Sequence, residues 1–180
     1  MTFEEFLLIE AFDLDKKVKY MYTPNVSKLL STIYPNANNN HAWMFTVNGT
    51  EYILYTLTQE GFTEIHFGYW TNEADLKSQV ISKNATEVFG YVMRIIYDIK
   101  DKAYMNDIRI ICPLNRKELY DKLFDRVKEY FSEYTKTQPH KHNDMTDKDG
   151  NKLPTSAFEL IKGKFSKGVT ISELKEQLRR

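Results

Sequence analysis

Between Ser82 and Tyr134 the chain reads helix, strand, helix, and that order limits the folds open to it. Ala85, Val88, Phe89, Val92, Ile96 and Ile99 recur at helical spacing, a stripe that has to be buried. Ser82 or Asn84 is the expected cap. Ile108 to Cys112 is apolar apart from Arg109, as in a strand with little exposed face. Pro113 ends it. The next helix sets Leu119, Leu123, Val127 and Tyr130 on one face, with Tyr120, Phe124 and Phe131 beside them. Two amphipathic helices around a buried strand need a sheet to pack on.

Upstream residues supply that sheet. Aromatic and β-branched runs at Trp43–Val47 and Glu51–Leu57 flank Asn48-Gly49, the pair suited to a type I′ hairpin turn. Gln59–Gly61 makes a second turn, and Phe62–Tyr69 alternates Ile65, Phe67 and Tyr69 against Glu64 and His66, predicting a third antiparallel strand. Val18–Tyr22 reads as an earlier strand and Gln79–Ile81 as a short edge strand. Phe3–Phe12 reads as a short helix behind a Thr2/Glu5 capping box. Residues 24–41, with Pro24, Pro35 and N-A-N-N-N, read as loop with a helical turn at Ser27–Ile33. The predicted class is α+β: an antiparallel meander, then helix, strand, helix. Residues 135–154 read as a polar linker after a domain spanning 1–134. Residues 155–180 read as a helical tail able to dock on a partner through Phe158, Leu160, Ile161, Phe165, Leu174 and Leu178.

Composition narrows the functions. The 25 basic and 25 acidic side chains balance, which argues against a general nucleic-acid binder. One cysteine, Cys112, rules out an intrachain disulfide and a multi-cysteine metal cage, and reads as a small buried hydrophobe. No basic region followed by an apolar run opens the chain, and no stretch approaches the ~20 apolar residues of a membrane helix. The expectation is a soluble protein inside a cell or an assembled particle. D-K-D-G at 147–150 resembles the end of a calcium loop, but Met145 and Ser156 hold the first and twelfth positions, where oxygen ligands are needed. His140 and His142, near Asp144, lack the further ligands of a tetrahedral site and read as linker. G-x-S-x-G, P-loop and G-x-G-x-x-G patterns are absent. Trp43, Tyr52, Tyr55, Phe62, Phe67, Tyr69 and Trp70 lack the basic surround of a base-stacking platform, and read as core plus protein interface.

L-Y-D-K-L spans Leu119–Leu123, in a helix that follows the meander, a first helix and a strand. This order and motif resemble the Gcn5-related N-acetyltransferase (GNAT) fold. The resemblance implies that the amides of Lys83, Asn84, Ala85, Thr86 and Glu87 cradle the pyrophosphate of acetyl-CoA. It implies Tyr120 as general acid toward the departing thiolate, with Glu64 or a water as base. V-I-S-K-N-A-T-E departs from the family's Arg/Gln-x-x-Gly-x-Gly/Ala loop, since only Ala85 answers its last small residue. Phe124-Asp125 replaces the Gly-Phe that usually follows the tyrosine motif.

From about residue 7 to 131 the chain is also similar to small proteins of large tailed bacteriophages. The similarity lies in L-I-E-A-F-D from Leu8 to Asp13, Gly49-T-E-Tyr52, the Ala85–Ile96 helix and Arg116–Tyr120. It implies a viral origin and a degenerate acetyltransferase-like fold with no cofactor. On that reading the chain is a non-enzymatic, virion-associated or accessory component. It binds other phage proteins or a host protein, in the virion or host cytoplasm, without membrane or nucleic acid. The alternatives are an acetyl-CoA-dependent N-acetyltransferase and a host-takeover or anti-defence factor.

Overall fold

The computed structural model describes residues 17–70, 85–103, 105–146 and 150–163. The helix expected at Phe3–Phe12, the edge strand at Gln79–Ile81 and the last helix from Thr170 lie outside the described residues.

Two tight turns set the register of the meander. Asn48 and Gly49 both take positive φ, 50° and 77°, and join β2 (Asn38–Val47) to β3 (Thr50–Gln59) with Val47 opposite Thr50. Glu60 and Gly61 repeat the device at 51° and 85°, joining β3 to β4 (Phe62–Tyr69) with Gln59 opposite Phe62. Positive φ at both central positions gives the twist that adjacent strands need. β1 (Tyr20–Tyr22) pairs with β2, and α1 (Pro24–Ile33) follows with proline at its start, where the missing N–H costs nothing. α2 (Ala85–Ile99) then crosses the sheet to β5 (Asp107–Pro113), which lies parallel to β4. α3 (Lys117–Asp125) comes next. The expected α+β order of meander, helix, strand and helix is therefore present.

Two stretches depart from expectation. Residues 38–41, read as loop, open β2 instead. Asn39 takes φ 49° at a register shift, and Asn40 is held through its amide by Ser31 Oγ and Ala37 O, both at 3.3 Å. The larger correction is C-terminal. The stretch read as linker and tail helix forms β6 (Tyr134–Lys136), β7 (His140–Thr146) and β8 (Lys152–Lys162). The sheet runs β1-β2-β3-β4-β5-β8-β6, with β7 paired to β8. S-A-F-E-L-I alternates at period two, with Phe158 and Leu160 in the core cluster beneath the helices and Glu159 in a charged chain. A short apolar run fits helix or strand by periodicity alone, and the partner strand decides.

Both faces of the sheet are covered. α2 and α3 pack on Leu54, Ile65, Phe67, Ile110, Phe158 and Leu160, while α1 covers Ala42, Ile53, Tyr55 and Leu57 with Val26 and Leu30. Of the aromatic residues singled out in the meander, Trp43, Tyr52, Phe67 and Tyr69 join the first layer and Tyr55 and Trp70 the second, while Phe62 lies against the Arg109 guanidinium. Among the described residues no helix is long and apolar enough to cross a membrane.

Candidate functional site

On the α1 face, period-two alternation places Glu64 on β4, Arg109 on β5 and Glu159 on β8 side by side in register. Arg109 Nη1 donates to Glu64 Oε1 at 2.9 Å, and its Nε donates to Glu159 Oε1 at 3.1 Å. The guanidinium carbon lies 4.2 Å from the Phe62 ring centroid. Thr137 Oγ1 donates to the second oxygen of Glu159 at 2.8 Å. His66 Nε2 lies 3.4 Å from the second oxygen of Glu64. His140 Nε2 approaches Glu159 at 3.3 Å, and His142 Nε2 approaches Glu64 at 3.8 Å. All three ladder residues are buried, and buried charges persist only when paired and hydrogen-bonded.

The electrostatics follow from this packing. Burial alone raises the pKa of Glu64, but hydrogen bonds and charge from His66 and Arg109 outweigh it, and the net shift is downward. Burial lowers His142, against the pull of Glu64, so its imidazole favours the neutral form. The His66 ring stacks on Tyr55 at 4.9 Å and 4° between planes, which fixes its orientation. Among the described residues no group of three or more His, Cys, Asp or Glu is arranged to hold a metal ion.

Beside this network the sheet opens. β4 and β5 pair only from Phe62–Asp107 to Ile65–Ile110, although β4 runs on to Tyr69 and β5 to Pro113. Past that point β4 keeps its β3 partners and β5 its β8 partners, so the two strands part. Among the described residues no strand covers the edge of His66–Tyr69 that faces β5. On the helix side of the gap, Tyr120 stacks on Phe89 at 4.9 Å and lies 5.9 Å from Phe67. Burial, with Cys112 adding to it and Arg116 opposing, pushes the Tyr120 hydroxyl up to about 12.

No protein-family model and no curated protein matches the chain. Six chains of solved structures align with it, among them these two. One is provisionally named a phosphinothricin N-acetyltransferase, with 11% identity and a TM-score of 0.47, covering 83% of this chain and 100% of its own. The other is a point variant of the spermidine N-acetyltransferase SpeG from Vibrio cholerae, with 7% identity and a TM-score of 0.38, covering 87% and 88%.

Glu64 lies in the paired part of β4, opposite Arg109 and just before the gap, while Tyr120 lies beside Phe67 on the other face of the sheet. Of the expected phosphate cradle, Ala85 is buried while Thr86 and Glu87 are half-buried in the first turn of α2. Glu87 Oε2 accepts from Asn48 Nδ2 at 2.7 Å. A carboxylate there suits the helix dipole and opposes a second anion. Lys83 and Asn84 lie outside the described residues. The partner-binding expectation is corrected at Phe158 and Leu160, which are 1% and 0% exposed and face the core. Ile161 is half-buried, and Phe165, Leu174 and Leu178 lie outside the described residues.

Sequence reasoning missed the ladder itself. Its signals were a lone charge within each of two apolar strands, Arg109 and Glu159, and two residues at i, i+2 in each of Glu64-x-His66 and His140-x-His142. Residues two apart share one face of a strand. The histidine pair was read as linker because β7 itself was not foreseen.

Proposed function

We propose that the chain is an acyl-coenzyme A-dependent N-acyltransferase that takes its thioester substrate in the gap between β4 and β5. The observation that carries the reading is the parting of these parallel strands after Ile65 and Ile110. An open strand edge offers N–H and C=O groups at the spacing an extended, amide-bearing ligand arm needs. Ligands of parallel strands also gather outside their carboxyl ends, which is where this gap lies.

The bound thioester supplies the acyl carbon. Tyr120 lies on the helix side and holds its proton at neutral pH, ready to donate to the departing sulfur. Glu64 and His66 stand at the base of the gap on the opposite face, where an acceptor amine would arrive. Glu64 and Glu159 outnumber the single guanidinium between them, which favours a cationic acceptor. Glu87 works against an anion at the start of α2, so affinity comes mainly from the gap.

The test is a melting curve and a calorimetric titration with acetyl-CoA. Ligand at 100 times its Kd adds about 2.7 kcal/mol to the folded state, a rise of several degrees. A flat response at saturating acetyl-CoA removes the reading.

A second reading keeps the fold and drops the chemistry: a non-enzymatic phage protein, in the virion or host cytoplasm, whose partner is another phage protein or a host protein. The observation favouring it is that Glu64 is already engaged by Arg109 and His66 while Tyr120 is buried. It expects the flat acetyl-CoA response and, in its virion form, recovery of the protein from purified particles by mass spectrometry.

A further inference from the structure

We propose that the proton leaving the acceptor goes to the imidazole of His66, and that Glu64 is the positioning residue that holds and charges that imidazole. The inference rests on the transferase reading and reassigns the base within it.

Glu64 is poorly placed to be the base itself. One of its oxygens accepts from Arg109 at 2.9 Å and the other faces His66 Nε2 at 3.4 Å. A carboxylate held ionised by a guanidinium gives up its charge reluctantly, so it takes a proton weakly. Arg109 is in turn fixed by Glu159, and Glu159 by Thr137, so the ladder anchors Glu64 from the far strand inward.

His66 is the better proton acceptor by place and by chemistry. It is the first β4 residue past the last β4–β5 pair, at the base of the gap. Its ring is clamped between the Tyr55 stack and the Glu64 carboxylate, and it is buried. An imidazole exchanges its proton near neutral pH, where a carboxylate does not. Its ring meets Glu64 on its own strand and Tyr55 on β3, and the Glu64 carboxylate in turn holds Arg109 from β5 and draws His142 from β7. His142 favours its neutral form, so Glu64 is the charge that most directly compensates an imidazolium on His66.

The step balances. An ammonium acceptor sheds two protons as its N–C bond forms and the C–S bond breaks. One goes to His66 and then to solvent. The other passes to solvent once the N–C bond has formed, and Tyr120, having given its own proton to the departing sulfur, regains one from solvent.

The experiment uses acetyl-CoA with water as acceptor, reading thiol release against pH alongside calorimetric binding. For the wild type we expect release to rise through an inflection in the imidazole range. Glu64→Gln moves that inflection lower, because the carboxylate no longer favours the imidazolium. His66→Gln removes the inflection and slows release on the order of 100-fold, with acetyl-CoA still bound. The His66 ring-proton resonance in the unsubstituted protein titrates with the same midpoint as the rate, a readout that stands if a variant fails to fold. Binding and release with the inflection intact in His66→Gln overturn this inference and leave the transferase reading standing. Binding without thiol release, or a resonance midpoint unlike that of the rate, also overturns it. No binding of acetyl-CoA overturns both.

Discussion

On the α2–α3 face, β4, β5 and β8 turn Ile65, Phe67, Ile110, Phe158 and Leu160 into contact with the helices. On the α1 face the same three strands turn Glu64, His66, Arg109 and Glu159 into a chain of paired charges. Both sets are buried, and each residue of one set is a chain neighbour of the other. The apolar face is held by area and close packing, which depend little on direction. The polar face is held by donors and acceptors that each need a named partner. An apolar contact can be trimmed and lose only its own atoms. A ladder that loses its middle member strands two charges.

The largest expected effect tests the apolar face. Phe158→Ala removes a ring packed 5.3 Å from Phe124 and should cost about 3–5 kcal/mol in denaturant unfolding. A cost near zero would mean that β8 does not belong to the sheet. Next comes the middle of the ladder. Arg109→Met leaves Glu64 and Glu159 without their shared cation and should cost about 3 kcal/mol. Adding Glu64→Gln and Glu159→Gln should return most of that loss, since the stranded charges are gone. No recovery in the triple variant would mean that Arg109 acts by packing on Phe62 rather than by charge.

The same contrast explains what could be read in advance. Both hairpins were legible, because Asn48-Gly49 and Gln59–Gly61 carry their conformation locally. α2 was legible because six apolar residues at helical spacing all became buried. β8 was not, because Ala157, Phe158, Leu160 and Ile161 satisfy a helical stripe as well as a strand, and only pairing with β5 separates the two. β7 was hidden by its polarity, since an edge strand can stay wet on one side. The ladder failed for the same reason. Arg109 was visible as an odd residue in an apolar run, but its meaning depends on Glu159, fifty residues away and on a strand that was not predicted.

A smaller effect separates the faces by pH. Glu64 has a lowered pKa when folded, so its contribution is fully present above its ordinary value of 4.5 and is lost as pH falls through the folded value. The melting temperature of the unsubstituted protein should therefore fall below about pH 4.5 more steeply than that of Glu64→Gln. Phe158→Ala, altered on the apolar face, should keep the full acid slope. Equal slopes in the unsubstituted protein and Glu64→Gln would assign acid sensitivity to other carboxylates, such as Asp98, whose pKa is lowered by its hydrogen bond from Tyr20 despite some burial.

The smallest stability effect falls where the proposed chemistry is largest. Tyr120→Phe keeps the ring against Phe89 and removes only the hydroxyl, so unfolding should change by about 1 kcal/mol or less. Because burial pushes that hydroxyl up to about 12, it keeps its proton throughout the ordinary assay range. A loss of thiol release on the order of 100-fold, with acetyl-CoA affinity and stability nearly unchanged, would give the apolar face a chemical role beyond packing. Unchanged release in a protein that still binds acetyl-CoA would leave Tyr120 as core alone. What chemistry there is would then lie with the polar face, where the His66 and Glu64 variants test it separately.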